Sequence, residues 1–335
     1  MTGAPAASRA VLDDLAVVAI GRNEGERLRR CLDSILGHCP HLAYVDSGST
    51  DGSVEMARAK GSYVAVLDTK QPFTAARARN AGLDAVLRNR PMAEFVQFVD
   101  GDCEIEAGWL DAARAYLAAH PKVAVVFGRR RERFPDKTVY NRICDIEWQV
   151  PKGEALHCGG DAMFRTDALR QVGGYRADLI AGEEPELCVR LRQKGWSVVS
   201  LGLPMTLHDA AMTRFTQWWR RSMRSGYAFA EGAHLHGSPP ERHWVRESRR
   251  AWIWGLVIPI AILAAAFLDF RAALLLSLIY PAQIARLYLK RRGQIPSALL
   301  VSSFQVLGKI PEALGQLKFK WNRLLNRKSR LIEYK

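Results

Sequence analysis

LAVVAIGRNEGE, residues 15–26, opens with six consecutive apolar residues and then breaks into polar ones. A continuous apolar run of this kind is the signature of a strand buried on both faces. Residues 27–36 then place Leu28, Cys31, Leu32, Ile35 and Leu36 on one helical stripe. A short strand over 42–45 ends in an Asp/Ser/Gly turn, 53–59 read as helix, and 63–67 return as strand. An Ala-rich helix spans 74–87, and a strand over 95–99 ends in Asp100-Gly101-Asp102. This alternation predicts an α/β fold: a doubly wound, mostly parallel sheet with helices on both faces. Ligands of such sheets bind past the carboxyl ends of the strands. The polar clusters at 21–24, 46–51 and 100–102 fall in those places. After Val126 the pattern weakens into shorter, mixed elements behind the arginine-rich stretch 129–133. There is no internal repeat and no low-complexity linker.

Charge divides the chain. Net charge is +14, yet residues 1–204 carry 27 Lys+Arg against 27 Asp+Glu, and residues 205–335 carry 21 against 7. A neutral body with a basic tail points to an anionic partner. Within the tail, 252–268 is apolar and uncharged, and 272–289 is broken only by Arg286. Each run is at the short end of what spans a bilayer. Arg246, Arg249 and Arg250 precede the first, and Lys290, Arg291 and Arg292 follow the second, so the positive-inside rule puts both ends in the cytoplasm. Asp269–Arg271 then forms the tight turn on the far side, with kinks expected at Pro259 and Pro281. The competing reading is a hairpin buried in a soluble domain. Over 310–331, Ile310, Leu314, Leu317, Trp321, Leu324 and Leu325 recur at helical spacing beside Lys318, Lys320, Arg323, Arg327 and Lys328. That pattern fits a helix lying in a membrane interface, or a solvated basic face packed on the body. Apolar runs among the basic residues favour anionic phospholipid over nucleic acid as partner. Residues 1–15 lack the apolar region of a secretory signal, and the six cysteines form no metal-type spacing and read as reduced thiols of a cytosolic domain.

The residues that bear chemistry lie at the strand ends. Asp100 and Asp102, one residue apart, can hold a hard cation such as Mg²⁺ or Mn²⁺, and Gly101 allows the backbone to approach a phosphate; a plain turn is the alternative. Asp46, ending its strand, is placed to accept from a base or ribose, or else to pin a polar turn with Ser47. Arg79 can reach a phosphate or a carboxylate. Glu183, Glu184 and Glu186 precede an expected helix over 187–194; they suit its dipole, and a clustered carboxylate can serve as general base. His208 stands among apolar residues beside Asp209. QWWRRSMR, 217–224, is either a membrane-edge belt or a clamp for a sugar and a diphosphate.

In order, these segments resemble glycosyltransferase family 2, inverting enzymes of the GT-A fold, over about residues 15–225. VVAIGRNEGE is similar to the family's opening strand and loop, which implies Asn23 and Glu24 at the nucleotide sugar. VDSGSTDGS at 45–53 is similar to V-D-D-G-S-x-D-G-T and implies Asp46 and Ser47 there too, with Arg79 of the R-N-x-G segment and Asp100. Asp100-Gly-Asp102 matches the metal-binding D-x-D. GGDAMFR at 159–165 resembles the acceptor-side G-G-x-x-x-F-R, implying roles for Gly160 and Asp161. GEEPEL at 182–187 resembles G-E-D-x-D-L and implies Glu184, or its neighbour Glu183, as base. Residues 217–221 resemble Q-x-x-R-W, implying Trp218, Arg220 and Arg221 near the acceptor, and His208 is implied as a further metal or phosphate ligand. Ser47, Glu184 and Arg221 each depart from the family pattern, and the last, without a multi-span channel, disfavours a processive synthase.

The resemblance implies metal-assisted single displacement from a nucleotide-diphosphate sugar to a hydroxyl of a lipid-linked or cell-envelope polysaccharide precursor, on the cytoplasmic face of a bacterial inner membrane. The implied organisation is an extension over 1–14, the transferase over 15–225, a basic linker over 226–250, a hairpin over 251–290 and a basic tail over 291–335. A dinucleotide-dependent oxidoreductase is disfavoured because 21–25 lacks G-x-G-x-x-G. A sugar nucleotidyltransferase would open with a glycine- and lysine-rich loop that is missing here. A sugar-nucleotide-binding protein without transferase activity stays open on motifs alone.

Overall fold

The computed structural model describes residues 13–327. The extension over 1–12 and the tail over 328–335, with Lys328 and Leu331 of the expected interfacial helix, lie outside the described residues. The described chain forms two compact units. One holds residues up to 133, 149–177 and 190–209; the other holds 134–148, 178–189 and everything from 210.

The first unit begins with β1 (Leu15–Gly21), α1 (Glu26–Leu36), β2 (Leu42–Asp46), α2 (Ser53–Ala59), β3 (Tyr63–Val66), α3 (Ala75–Asn89) and β4 (Phe95–Asp100). It continues with β5 (Cys103–Ile105), α4 (Trp109–Ala119) and β6 (Val123–Glu132). After α5 (Val139–Glu147) of the second unit come β7 (Gly153–Glu154), β8 (Ala162–Arg165) and α6 (Thr166–Gln171). The helix α7 (Glu183–Gln193) starts in the second unit, and β9 (Ser197–His208) closes the first.

The strands form one sheet in the order β3-β2-β1-β4-β8-β6-β9-β5, with β7 added on β9. The half from β3 to β4 is parallel, and its register sets Gly21 beside Asp46 and Ile20 beside Asp100. The carboxyl ends of three strands are thereby brought level. Beyond β4 the sheet is mixed where a mostly parallel one was expected: β8 runs antiparallel to both β4 and β6.

The weak pattern after Val126 conceals a strand. Most of the arginine run belongs to β6, and its alternation sorts the charges. Arg131 and Arg133 pair with Glu106 and Glu104, whereas Arg130 and Glu132 turn toward Asp161 and His208.

Glycine sets one close approach. A Cβ on Gly82 of α3 would overlap Val18 Cγ1 and lie 3.0 Å from Val45 Cγ2, so the helix rests directly on β1 and β2. Overpacking of this kind costs about 1–3 kcal/mol. Gly82→Ala is therefore expected to lower the denaturation midpoint by that amount, read by chemical unfolding; an unchanged midpoint would show that the sheet yields.

In the second unit, α8 (Phe215–His236), α9 (Val245–Trp252), α10 (Ile258–Leu268), α11 (Phe270–Ser277), α12 (Ile279–Arg291), α13 (Ala298–Leu307) and α14 (Lys309–Leu324) follow in order. Gly226 on α8 and Gly315 on α14 face each other's helix backbone so closely that a Cβ on either would overlap it. Tyr227 and Phe319 meet edge to face at 5.3 Å in the same seam.

Two helices, Val245–Leu268 and Phe270–Arg291, are long and apolar enough to cross a membrane, and 11% and 6% of their most apolar windows are buried. The buried-hairpin alternative therefore fails. Asp269 alone separates the pair; it caps α11 by accepting from the Arg271 amide at 2.8 Å, so Phe270 and Arg271 are helical and not turn. The prolines act one turn upstream, as expected from a missing amide and a ring that crowds the carbonyl four residues back. A π-helical turn over Ile253–Val257 precedes Pro259, and the break at Leu278 precedes Pro281.

On α14 the buried face is Pro311, Ala313, Gly315, Gln316 and Phe319. Leu314, Leu317, Trp321 (59% exposed) and Leu324 (74%) point outward beside Lys320 and Arg323. An exposed face that is apolar as well as basic suits a membrane interface.

Candidate active site

In the first unit, ion pairs converge at the carboxyl end of β4. Arg79, from α3, is almost wholly buried and donates from Nη2 to Asp100 Oδ1 at 2.9 Å. Arg130, from β6, donates to Asp100 Oδ2 at 3.1 Å and lies 2.8 Å from Asp161 Oδ2. Asp161 also accepts from the Asp100 amide at 3.0 Å and from the Thr206 hydroxyl at 2.7 Å. Two guanidinium groups thus neutralise two carboxylates and fix the Asp-Gly-Asp turn. Asp161, expected on the acceptor side, is instead a buried support of this network, with Gly160 half-exposed beside it.

One residue on, Asp102 Oδ2 lies 3.3 Å from His208 Nε2. The other imidazole nitrogen faces Glu132 Oε2 at 3.7 Å, from a side chain with no exposed surface. Such a carboxylate–histidine–carboxylate row orients an imidazole toward a cation. Burial, against the pull of Glu132, holds His208 below its ordinary value and so favours the neutral, ligating ring. Cys103 Sγ stands 3.6 Å from Asp102 Oδ1, and Asp102, Cys103 and His208 each offer a ligand atom within 4.8 Å of the others. These residues fit a divalent cation by their donor set: a carboxylate and a neutral imidazole, both buried and side by side.

Gly101 has a different role from the one expected. Its amide donates to Ile20 O at 2.7 Å, and a Cβ there would come 3.0 Å from that oxygen and 3.5 Å from Glu24 Cγ. The missing side chain serves the fit between β4 and β1, with Glu24 lying over the turn and paired to Arg27 at 2.8 Å.

The loops after β1 and β2 are strapped together. Asn23, at φ 55°, accepts from the Thr50 amide at 2.7 Å and donates its own amide to Ser49 Oγ at 2.9 Å. Asp51 accepts from the Gly25 amide at 3.0 Å. Asp46 is 1% exposed and accepts from Tyr44, Gly48 and Ser49 at 2.8–3.0 Å. Most of its lone pairs are thereby spent on the turn, which corrects the expectation of an acceptor open to a base or ribose. Ser47 is buried beside it, its hydroxyl without a protein partner. In Arg79-Asn80-Ala81-Gly82, Asn80 clamps the Tyr175 backbone at 2.7 and 2.9 Å. One residue of the motif therefore grips the acidic turn, one a distant loop, and one seats the helix.

The second unit carries the acidic cluster. The helix α7 starts at Glu183, earlier than expected, with Pro185 in its first turn, where a missing amide costs nothing and carboxylates suit the helix terminus. Glu186 is 1% exposed and bonded to His236 at 3.0 Å, and Glu183 is buried. Glu184 is the half-exposed member. Gln217 caps α8, accepting from the Thr213 and Arg214 amides at 2.9 Å each. Arg221 pairs with Glu147 at 2.8 Å, and Arg220 is exposed.

Trp218, expected to meet an acceptor, is 3% exposed and belongs to a core with Cys144, Ala210 and Met212, edge to face with Phe304 at 4.9 Å. The helix turns alternate tryptophan faces inward and arginines outward. Trp218→Ala is expected to cost about 3–5 kcal/mol of stability, measured by denaturation. A fully stable variant with weakened acceptor use would restore the clamp reading.

Arg130, Glu132 and Cys103 were not foreseen as site residues. The signal available for the first two was the period of two within 129–133.

Residues 16–173 match the family model described as Glycosyl transferase family 2. A pre-mycofactocin glycosyltransferase of Mycobacterium tuberculosis (strain CDC 1551 / Oshkosh) is 28% identical over 246 residues, 67% of this chain and 48% of that protein. The chain thus spans about half the length of this curated relative. A probable glucomannan 4-beta-mannosyltransferase 2 of Oryza sativa subsp. japonica is 29% identical over 122 residues, 33% of this chain and 21% of that protein. Among solved structures, a mannosyltransferase from Pyrobaculum calidifontis in complex with GDP-Man and Mn²⁺ superposes with a TM-score of 0.62 at 18% identity, covering 91% of this chain and 87% of that one. With the ordered motifs and the mixed α/β sheet, these matches show a glycosyl transferase family 2 domain over residues 16–173 and the GT-A fold.

Proposed function

We propose that this protein is an inverting glycosyltransferase that moves a sugar from a nucleoside-diphosphate sugar to a hydroxyl of a lipid-linked or cell-envelope glycan precursor. The observation that carries the reading is the buried Asp102–His208 pair, backed by Glu132 and set beside an Asp100 already neutralised by Arg79 and Arg130. Asp102 and His208 would hold Mg²⁺ or Mn²⁺, which supplies neutralisation of the departing diphosphate when bound. Asn23, Glu24, Ser47 and Asp46 shape the loops that receive the nucleoside, and Arg79 and Arg130 keep Asp100 in place for the donor.

Glu184 takes the proton of the acceptor hydroxyl. The oxygen then forms its bond to the anomeric carbon on the face opposite the diphosphate, whose C–O bond breaks with its electron pair, so the configuration inverts. Gly160, Arg220 and Arg221 belong to the acceptor side in this reading. The two apolar helices would hold the protein in a bacterial inner membrane, with Arg246, Arg249, Arg250 and 290–292 on the cytoplasmic side against anionic phospholipid.

Donor binding tests the proposal. Calorimetry of the full chain in detergent against a panel of nucleotide sugars, GDP-mannose first because the Pyrobaculum calidifontis neighbour holds it, should give one binder that requires Mn²⁺ or Mg²⁺. Failure of every donor with every cation would overturn it.

A further inference from the structure

We infer that Cys103 is a third protein ligand of the Asp102–His208 site, making it a centre for thiophilic divalent cations of the Zn²⁺ class as well as for Mn²⁺. The inference rests on the proposed cation role of Asp102 and His208 and extends it to a residue that strand position alone would class as core.

Geometry carries the argument. Ligand atoms around a tetrahedral cation with bonds of 2.0–2.3 Å lie about 3.3–3.8 Å apart. Asp102 Oδ2 and His208 Nε2 are 3.3 Å apart, and Asp102 Oδ1 and Cys103 Sγ are 3.6 Å apart. All three ligand atoms fall within 4.8 Å of one another, and all three residues are buried. Three ligands drawn in around one ion would leave a fourth position for water or a phosphate oxygen, the arrangement of an open site.

A second grouping, Asp100, Cys103 and Asp161, satisfies the same distance test. Arg130 already binds both of its carboxylates, at 3.1 and 2.8 Å, so a cation there would face a fixed guanidinium. Glu132 supplies the other requirement of a ligating histidine, a carboxylate on the far nitrogen that turns Nε2 toward Asp102.

Softness then sets the preference. Oxygen donors alone suit Mg²⁺, whereas a thiolate and an imidazole together select Zn²⁺, Co²⁺ and Cd²⁺. Binding of such an ion would replace the thiol proton, which leaves to solvent. Zn²⁺ is then expected to displace Mn²⁺ from the full-length protein.

Co²⁺ reports the ligand directly. The metal-free full chain in detergent, titrated with Co²⁺, should develop a near-ultraviolet thiolate-to-metal band that Cys103→Ser removes and Cys188→Ser leaves. Competition against Mn²⁺ should show Zn²⁺ affinity falling by about 10–100-fold in Cys103→Ser while Mg²⁺ affinity changes by less than about 3-fold. Mn²⁺ or Co²⁺ binding without the band would overturn the inference and leave the proposed function standing. Binding of no cation at all would overturn both. If Cys103→Ser does not fold, Cys103→Ala carries the same test, and a band it retains would overturn the inference.

Discussion

Asp102→Ala is expected to abolish metal-dependent turnover, lowering it by at least about two to three orders of magnitude, the usual cost of losing a group that stabilises leaving-group charge. Asp102 follows the end of β4 and is buried beside His208, whereas Asp100 and Asp161 are held by Arg79 and Arg130. His208 lies 3.3 Å from the Asp102 carboxylate. Removing the carboxylate leaves an imidazole that Glu132 still orients, so cation affinity should fall while the fold persists. The signature is loss of Mn²⁺-dependent donor binding with an almost unchanged unfolding midpoint. Retained metal-dependent binding in the variant would move the site elsewhere.

Glu184→Gln should act differently. A positioned general base contributes about 10²–10⁴-fold, and glutamine keeps the shape while removing the proton acceptor. Turnover is expected to fall by that factor with donor affinity unchanged, a loss confined to the chemical step. Within the α7 cluster Glu186 is bonded to His236, Glu183 is buried and Glu184 is half-exposed, which is why the base role is assigned to Glu184. Glu183→Gln should cost mainly stability. The opposite pattern, with Glu183→Gln inactive and folded and Glu184→Gln active, would reassign the base.

Much of the fold was legible because buried parallel strands announce themselves. The runs 15–20 and 95–99 became β1 and β4, and 53–59 became α2 within its expected limits. Legibility failed where charge replaced hydrophobicity. The run 129–133 resembles a solvated loop until the sheet shows that alternate arginines serve two faces. It also failed where one residue type supports two physical roles. Trp218 has the composition of a sugar platform and the position of a core residue. Asp46 has the place of a ligand acceptor and spends its oxygens on its own turn. The helix expected from 187 starts at Glu183 because its first turn accommodates Pro185, where no amide is needed for an intrahelical bond. Cys103 was obscured by spacing: its partner His208 lies far away in sequence and meets it only through the β5–β9 pairing.

The most direct test of the central claim is nucleotide release from the full chain in detergent, across a nucleotide-sugar panel with a membrane extract as acceptor source. Release from one donor, dependent on Mn²⁺ or Mg²⁺ and lost in Asp102→Ala and Glu184→Gln, is the predicted result. Release that persists in both variants, or that needs no divalent cation, would contradict the account.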